Sequence, residues 1–416
     1  MTVLYRLITG ILATSVATSI WAEELDDRLA QAEARLAALE AQSMSSEKFR
    51  FNGFITLGME RTNTIEGIVV DPALGPVAGQ PISYRGSNSE NWNLREYSRA
   101  GFRIETDINE RTGAVIQILA SGQNDYDAEL QWAYLSYNIK PELVWRAGRL
   151  VLPTYMHSQY TQASYAYPWI ELPSQVYGTL PVNTMEGMDL TWQFSTGNVG
   201  HALNVTWGTA DVPTEVGRYL VNNQAGMNLK SFFGNFTTRI SYSVGETDLD
   251  LPDLTALGGP DLSPYSLDSS FGYFASVGGQ YDNGSVLLIS EVVQLGVNAP
   301  YGWFPTQTAA YLTAGYRMGR LMPHLTWSGV ESDVNDRCAS APSAVACGSL
   351  VSQNVARSKS WTLGARYDLD AGIALKAEAT SFYDFTGDKT ANGTLFSGLP
   401  TSNDVVVFRL AVDAAF

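Results

Sequence analysis

Hydrophobic and polar residues alternate along most of the chain beyond residue 48, and the end of the chain shows this pattern most clearly. Between Asp404 and Phe416, every second residue is apolar and the residues between them are mixed. The apolar positions are Val406, Phe408, Leu410, Val412, Ala414 and Phe416. Because successive side chains of a strand point to opposite faces, the pattern predicts a strand with one apolar face and one mixed face.

The same two-residue period recurs upstream and predicts about sixteen strands in all. The first is Phe49 to Glu60 and the second is Tyr97 to Ile108. The remaining predicted strands before the last are 114–121, 128–138, 144–150, 190–194, 203–207, 225–230, 236–242, 271–281, 286–294, 308–317, 323–330, 361–367 and 373–383. Strands of this kind can contact lipid with one face and water with the other.

The connections between the predicted strands alternate between short and long. The short ones are turns at 109–113, 195–200, 282–284 and 370–372. The long ones, rich in Pro, Gly and Asn, are 62–93, 151–187, 209–223, 245–268, 295–306, 331–356 and 387–402. This alternation predicts an all-β fold, a transmembrane antiparallel β-barrel of residues 49–416 with periplasmic turns and extracellular loops.

Two segments of different character precede the barrel. An apolar run from Leu7 to Ile20 follows Arg6 and is too short to span a membrane, so residues 1–22 are predicted to be a cleaved signal peptide. Residues 23–42 have heptad spacing and predict a short periplasmic coiled-coil helix, followed by a linker at 43–48. The seam is Leu25, Leu29, Ala32, Leu36 and Leu39. The helix could form a trimer or pack singly against its own barrel.

Together, the terminal strand, the export signal and the alternating connections resemble the trimeric porins of the Gram-negative outer membrane. The resemblance implies a homotrimer in contact with lipid and lipopolysaccharide, delivered by periplasmic chaperones to the barrel-assembly machinery. It also implies that this machinery reads the tail residues Phe408, Leu410, Val412 and Phe416.

In that family the loop after the fifth strand folds into the lumen and narrows it, so the resemblance assigns this role to residues 151–187. The residues singled out in this loop are Tyr155, His157, Tyr160, Tyr165, Tyr167, Trp169, Glu171, Tyr177 and Glu186, with Asp189 just beyond its end. The family places arginines on the facing wall, which here implies Arg50, Arg99, Arg103, Arg366 and Arg409. Facing acids on the loop, they would create a transverse field; alternatively, each is paired with a lumen acid such as Glu60, Glu105, Asp107 or Asp413.

Composition agrees with a membrane barrel and limits its partners. The chain contains 21 Tyr and 10 Trp, residues that form girdles at the rims of barrels. Its formal net charge of -16 makes nucleic acid an implausible partner. Acidic loops favour cations whereas wall arginines favour anions, so the sequence leaves the ion preference open.

Cys338 and Cys347 are the only cysteines, and both lie in one predicted extracellular loop. In an exported protein this arrangement predicts a disulfide. Two cysteines without a neighbouring histidine do not predict a metal site, and no sequence feature calls for a cofactor.

The sequence therefore predicts a porin for passive diffusion of small hydrophilic solutes and ions. One alternative is a channel selective for a sugar or an organic acid through the aromatic loop, and another is a plugged barrel with an adhesive or enzymatic role. Of the three histidines, His157 lies in the long loop. An enzyme is not expected, because neither His201 nor His324 lies in a motif that supplies a nucleophile and an orienting acid.

Overall fold

The alternating segments form a closed antiparallel β-barrel. The structure is a computed structural model, and it describes residues 49–63, 66–71, 75–81, 91–180, 182–214, 217–333, 338–384, 399–400 and 405–416. The strands are β1 (Phe49–Thr62), β2 (Glu66–Asp71), β3 (Gly75–Pro81), β4 (Arg99–Asp107), β5 (Thr112–Ser121), β6 (Ala128–Lys140), β7 (Leu143–Val151), β8 (Thr184–Thr196), β9 (Val199–Thr214), β10 (Gly217–Phe233), β11 (Phe236–Leu249), β12 (Leu267–Asp282), β13 (Val286–Val297), β14 (Gln307–Tyr316), β15 (Leu321–Ser332), β16 (Arg357–Asp370), β17 (Ile373–Tyr383), β18 (Leu399–Pro400) and β19 (Val405–Ala415).

Sixteen of these strands form the barrel, and each pairs with the next barrel strand along the chain. The barrel closes where β19 pairs with β1, with Ala415 opposite Phe54 and Val407 opposite Thr62. The other three strands, β2, β3 and β18, form a separate small sheet. The predicted fold is thus confirmed, and each predicted segment corresponds to one barrel strand.

Burial alternates along the strands as the sequence predicted. On β19, Phe408 and Leu410 are exposed on the outer face, whereas Val407, Arg409 and Asp413 are buried inside. The outer faces of the other barrel strands also expose large apolar side chains, including Leu57, Ile240 and Leu363. An apolar outer band of this kind is what lipid contact requires of a barrel.

Strands β9 and β10 are longer than the sequence predicted. Most of the predicted loop 209–223 is strand, and Leu220 of β10 lies opposite Asp211 of β9. The lipid-type alternation on β9 ends near Trp207, while backbone pairing continues beyond it. The prediction was wrong here because it relied on alternation of apolar and polar side chains. Strands can pair through their backbones above the apolar band without such alternation.

Among the described residues, two α-helices lie in the connections: α1 (Ser174–Tyr177) between β7 and β8, and α2 (Ala344–Asn354) between β15 and β16. The side chain of Ser343 caps α2 by accepting a hydrogen bond from the backbone N–H of Ala346. This helix was not predicted from the sequence, in which 331–356 is a long loop rich in Pro, Gly and Asn.

The predicted disulfide between Cys338 and Cys347 is present, with 5.7 Å between the two Cα atoms. Cys347 lies on α2 and packs in an apolar cluster with Tyr265 and Trp303 from neighbouring loops. The disulfide therefore ties α2 to the segment before it and stiffens this group of loops.

The predicted signal peptide (1–22), the coiled-coil seam from Leu25 to Leu39 and the linker (43–48) lie outside the described residues. Among the described residues, no helix has the length and apolar character needed to cross a membrane.

Candidate channel and its lumen loop

The connection between β7 and β8 lies inside the barrel. We call residues 152–183, of which residue 181 is not described, the lumen loop. The indole N–H of Trp169 donates a 2.8 Å hydrogen bond to Thr326 Oγ1 on β15. The backbone N–H of Ile170 donates to Glu378 on β17, also at 2.8 Å. Because Thr326 and Glu378 are inward-facing wall residues, these bonds hold the loop in the lumen.

Apolar packing attaches the lumen loop to one side of the wall. Inward positions of β13 carry Ile289 and Val293, although lumen-facing residues of a barrel are usually polar. Together with Tyr311 of β14, they bury the aromatic side of the loop. The ring of Trp169 meets that of Tyr311 edge to face, with 5.7 Å between centroids. The inner face of these strands therefore acts as a core for the loop.

Buried charges attach the lumen loop at a second place. Lys376 of β17 donates hydrogen bonds of 2.8 Å to the backbone carbonyls of Tyr167 and Trp169. Its ammonium group lies 2.9 Å from Asp413 of β19, and both side chains are fully buried. Asp413 also accepts hydrogen bonds from the Ser164 hydroxyl. A charge this deep requires such partners, because desolvation of an unpaired ion is costly.

Three of the five predicted wall arginines contact the lumen loop. Arg99 donates to the side-chain oxygen of Gln162 at 2.9 Å. Arg366 donates to the backbone carbonyl of Tyr165 at 2.5 Å. Arg409 lies 2.6 Å from Glu171 of the loop and 3.6 Å from Glu60 of β1.

The other two predicted arginines lie elsewhere. Arg103 forms an ion pair of 2.6 Å with Glu105 on its own strand. Arg50 is exposed at the start of β1, outside the part of that strand that pairs with β19. The five arginines are therefore not brought to one place.

Most aromatic residues of the lumen loop are buried in its packing. Tyr155, Tyr167, Trp169 and Tyr177 belong to the apolar cluster against the wall or pack on it. Tyr160 and Tyr165 line the space that stays open.

His157 is buried among these rings, 5.7 Å from Trp169 and 5.6 Å from Tyr160 between centroids. Neither of its ring nitrogens has a hydrogen-bond partner among the residues that the structure describes. Burial, together with the positive charges of Lys230 and Arg239, lowers the pKa of His157 to about 3. The imidazole is therefore neutral at neutral pH.

The lumen loop is shorter than the predicted segment 151–187, because β8 begins at Thr184. Glu186 and Asp189 are consequently strand residues that pair with Arg149 and Arg146 of β7. In the described part of the loop, Glu171 is the acidic residue, and it is bound by Arg409 and by the hydroxyl of Tyr97.

An open cavity of about 1370 Å³ remains between the lumen loop and the wall formed by β1, β4 to β11 and the end of β19. Basic residues from four strands line it: Arg103, Arg146, Arg149, Lys230 and Arg239. Of these five residues, Arg103 is the one predicted from the sequence. The inward positions of Arg146, Lys230 and Arg239 in alternating strands are a signal present in the sequence, but the resemblance to porins points to other wall segments.

The predicted assembly residues Phe408, Leu410 and Val412 lie on the outer face of β19. The last residue, Phe416, exchanges backbone hydrogen bonds with Gly53 of β1 at 2.8 and 2.9 Å. The exposed ring of Phe416 is thus fixed beside the seam at which the barrel closes.

No protein-family model and no curated protein sequence matches this chain. Among solved structures, OmpF of Salmonella typhi, in complex with daunomycin, has a TM-score of 0.56 at 12% identity, over 88% of this chain and 97% of that one. The anion-selective porin from Comamonas acidovorans has a TM-score of 0.54 at 13% identity, over 88% and 99%. The trimer form of Vibrio cholerae OmpT, an outer membrane protein, has a TM-score of 0.53 at 11% identity, over 89% and 100%. At these identities the likeness concerns the fold alone, and the chain has the barrel fold of the outer-membrane porins.

Proposed function

We propose that this protein is an outer-membrane channel for passive diffusion of small hydrophilic solutes and ions. The observation that carries the proposal is the open cavity, because residues from both ends of the barrel line it. Asn52 and Phe232 belong to the end with the short turns, whereas Ser121 and Asp211 belong to the end with the long loops. A polar passage along the full height of a barrel gives water and solutes a route across the membrane.

The lumen loop would set the narrowest part of this route. This part of the proposal is supported by the hydrogen bonds and ion pairs that hold the loop against β11 to β19. Solutes would then pass on the other side, between the loop and the wall formed by β1 and β4 to β11. In this proposal Arg99, Arg366 and Arg409 position the loop, and Arg103 faces the passing solute.

The alternative of a sugar or organic-acid channel filtered by the loop aromatics has less support. Tyr155, Tyr167, Trp169 and Tyr177 contact the wall and one another, so their faces are not available for stacking on a solute. Tyr160 and Tyr165 are the two predicted loop aromatics that line the cavity.

We further propose that the barrel is not an enzyme. The pair that most resembles a catalytic one is His201 and Ser231, with 2.8 Å between Nδ1 and Oγ. A serine nucleophile also requires an acid that orients the histidine. Among the described residues no carboxylate contacts His201, whose ring stacks on Phe194. Equal ester hydrolysis by the wild type and Ser231→Ala would support this view, and hydrolysis lost in Ser231→Ala would overturn it.

We also propose a homotrimer with a periplasmic coiled coil at residues 23–42. The trimer form of a solved structure with the same fold is consistent with this assembly. Contacts with lipid and lipopolysaccharide, and delivery by chaperones and the assembly machinery through the Phe416 tail, belong to the same proposal.

Single-channel recording in planar bilayers tests the channel. The purified protein should insert with stable conductance, and three equal steps would report one pore in each of three subunits. A silent bilayer, with protein shown to be folded and inserted, would contradict the channel and favour a plugged barrel.

A further inference from the structure

The open cavity carries positive charge on one wall. Arg103 of β4, Arg146 of β7, Lys230 of β10 and Arg239 of β11 all line it. We call these four residues the basic arc. We propose that the basic arc is an anion filter and that the preferred solutes are small anions, with carboxylates as the simplest organic class. The inference rests on the proposed channel function and specifies its solutes.

Strand pairing places the basic arc near one level of the barrel. Residues that pair with Arg146 across successive strands form a row around the barrel. This row is inclined, because it starts at Asp107, at the short-turn end of β4, and reaches Ser332, at the loop end of β15. Arg103 lies four residues above this row on β4. Lys230 lies four residues below it on β10, where the row passes through Gly226. The row rises from β4 to β10, while Arg103 lies above it on β4 and Lys230 lies below it on β10. These differences cancel, so Arg103, Arg146 and Lys230 lie at a similar height in the barrel.

The acids that pair with the arc arginines do not line the cavity. Arg146 donates to Asp189 at 2.9 Å, and Asp189 is buried in the wall. Arg103 pairs with Glu105, which lies further towards the short-turn end of β4. Both pairs therefore present their positive member to the cavity.

Arg239 also interacts with an acid that does not line the cavity. It donates hydrogen bonds to the backbone carbonyls of Pro153 and Tyr155 in the lumen loop. The acid that interacts with it electrostatically, Glu291, is buried on β13 and accepts a hydrogen bond from Met156. This acid is not part of the cavity wall.

Lys230 gives the arc a charge that is not balanced locally. Its ammonium group lies 5.2 Å from the ring centroid of Phe232. Among the residues that the structure describes, no carboxylate forms an ion pair with Lys230. A free ammonium in a narrow passage attracts anions and repels cations, because the low-dielectric wall concentrates its field.

The opposite side of the cavity does not counter this charge. The lumen loop lines it with uncharged residues, including Ser158, Gln159 and Gln162, whereas Glu171 is held by Arg409 away from the cavity. The transverse field expected from loop acids facing wall arginines is therefore not formed at this place.

The lining acids, Glu129 and Asp211, lie at the loop end of the barrel, and Asp211 is paired with Arg218. Exposed acids of the outer loops, such as Asp253 and Asp261, add to the net charge of the chain. Salt screens charges over about 8 Å at physiological ionic strength, so distant acids act weakly on an ion that has reached the arc.

Reversal potentials in planar bilayers under a KCl gradient test the filter. The wild type should pass chloride in preference to potassium, and the preference for the anion should remain when acetate replaces chloride. Lys230→Gln should lower the anion-to-cation permeability ratio by about threefold, and Lys230→Glu should lower it further, because the free charge is removed and then inverted. Lys140→Gln is the matched control, since Lys140 ends β6 and does not line the cavity.

Each outcome decides between the two proposals. A conducting wild type that prefers potassium, or a Lys230→Glu channel with the reversal potential of Lys140→Gln, would overturn the filter and leave the channel intact. Absence of conductance from folded, inserted protein would overturn both. Heat-resistant mobility in electrophoresis establishes folding of each variant. If Lys230→Glu does not fold, the wild-type sign and Lys230→Gln decide.

Discussion

Lys376 and Asp413 form an ion pair at the place where the lumen loop meets the wall. Replacing both charges by neutral groups of similar size removes the desolvation cost together with the attraction, whereas removing one charge leaves the other buried and unpaired. The pair also supplies hydrogen bonds to the loop through Ser164, Tyr167 and Trp169. Its loss should therefore loosen the loop and weaken the barrel at the same time.

We expect Lys376→Met to cost about 3–5 kcal/mol, because Asp413 would stay buried without its partner. Detergent electrophoresis measures the temperature at which the barrel loses its folded mobility. This temperature should be lower in the variant than in the wild type. The double variant Lys376→Met with Asp413→Asn should recover most of the loss, and Lys140→Met is the control for an exposed lysine. A single variant as heat-resistant as the wild type would show that the pair contributes little.

His157 gives the lumen loop a dependence on pH. Its pKa is about 3 in the docked loop, against 6.5 for an ordinary histidine. Between these values a released loop binds a proton that the docked loop does not. Docking is therefore at full strength above pH 6.5 and weakens as pH falls towards 3.

Single-channel current at pH 7 and pH 4 measures this effect. The wild type should become noisier at pH 4 as the loop detaches more often, and His157→Leu should lose most of this change because leucine does not titrate. His201→Leu, a histidine replaced outside the loop, should behave like the wild type. An unchanged response to pH in His157→Leu would mean that other groups control loop release.

Single residues also show how far sequence reasoning reaches. Alternation correctly divided β19 into outward Phe408 and inward Arg409, because lipid demands apolar side chains at every second position. It could not tell that Arg409 meets Glu171, or that Lys376 meets the carbonyl of Trp169, because these contacts join distant parts of the chain. Alternation also gives inward positions to Arg146, Lys230 and Arg239. It does not show which of the inward residues remain accessible to a solute.

At the scale of elements, the lumen loop is fixed by apolar packing on one side of the wall. Trp169 contributes both a hydrogen bond to Thr326 and an edge-to-face contact with Tyr311. The sequence suggested the position of this loop through resemblance, and the aromatic residues in it were visible. Their burial was not predictable, because it depends on the apolar inward positions of β13, which break the usual rule for a wet lumen.

Trp169→Ala should release this side of the loop, since truncating a buried tryptophan costs about 3–5 kcal/mol. Single-channel recordings should show a higher and noisier conductance, because the loop would no longer keep one position in the lumen. Trp361→Ala is the control, since Trp361 is 47% exposed on the outer face. Equal conductance in both variants and the wild type would mean that the loop does not limit the flow.

The elements outside the apolar band were the ones the sequence described least well. The added length of β9 and β10 carries no lipid-type alternation, and α2 lies in a stretch that looks irregular by composition. Lipid selects a strong pattern in the spanning part of each strand, whereas water on both sides selects none. Loop structure in such a barrel must therefore be determined from packing, as in the cluster of Tyr265, Trp303 and Cys347.

At the scale of the whole molecule, the predicted property is assembly into a homotrimer. The heptad seam of residues 23–42 is too short to hold three helices together alone, since isolated helices of this length are marginal in water. Barrels that already associate would hold three copies at high local concentration, and the coil would then add stability to an existing trimer.

Removal of residues 23–42, with the signal peptide kept, should therefore lower the temperature at which trimers dissociate in detergent electrophoresis, without changing the conductance of each pore. Replacing Leu29 and Leu36 by Glu should have the same effect, because charges at the seam disrupt coiled-coil packing while the helix length is kept. A matched pair of Glu substitutions at Gln31 and Ala41, which fall at positions c and f of the predicted heptad and so outside its seam, should leave the trimers unchanged. If the trimmed protein forms trimers of equal heat resistance, the helix packs singly or serves another purpose, and the barrels alone determine the assembly.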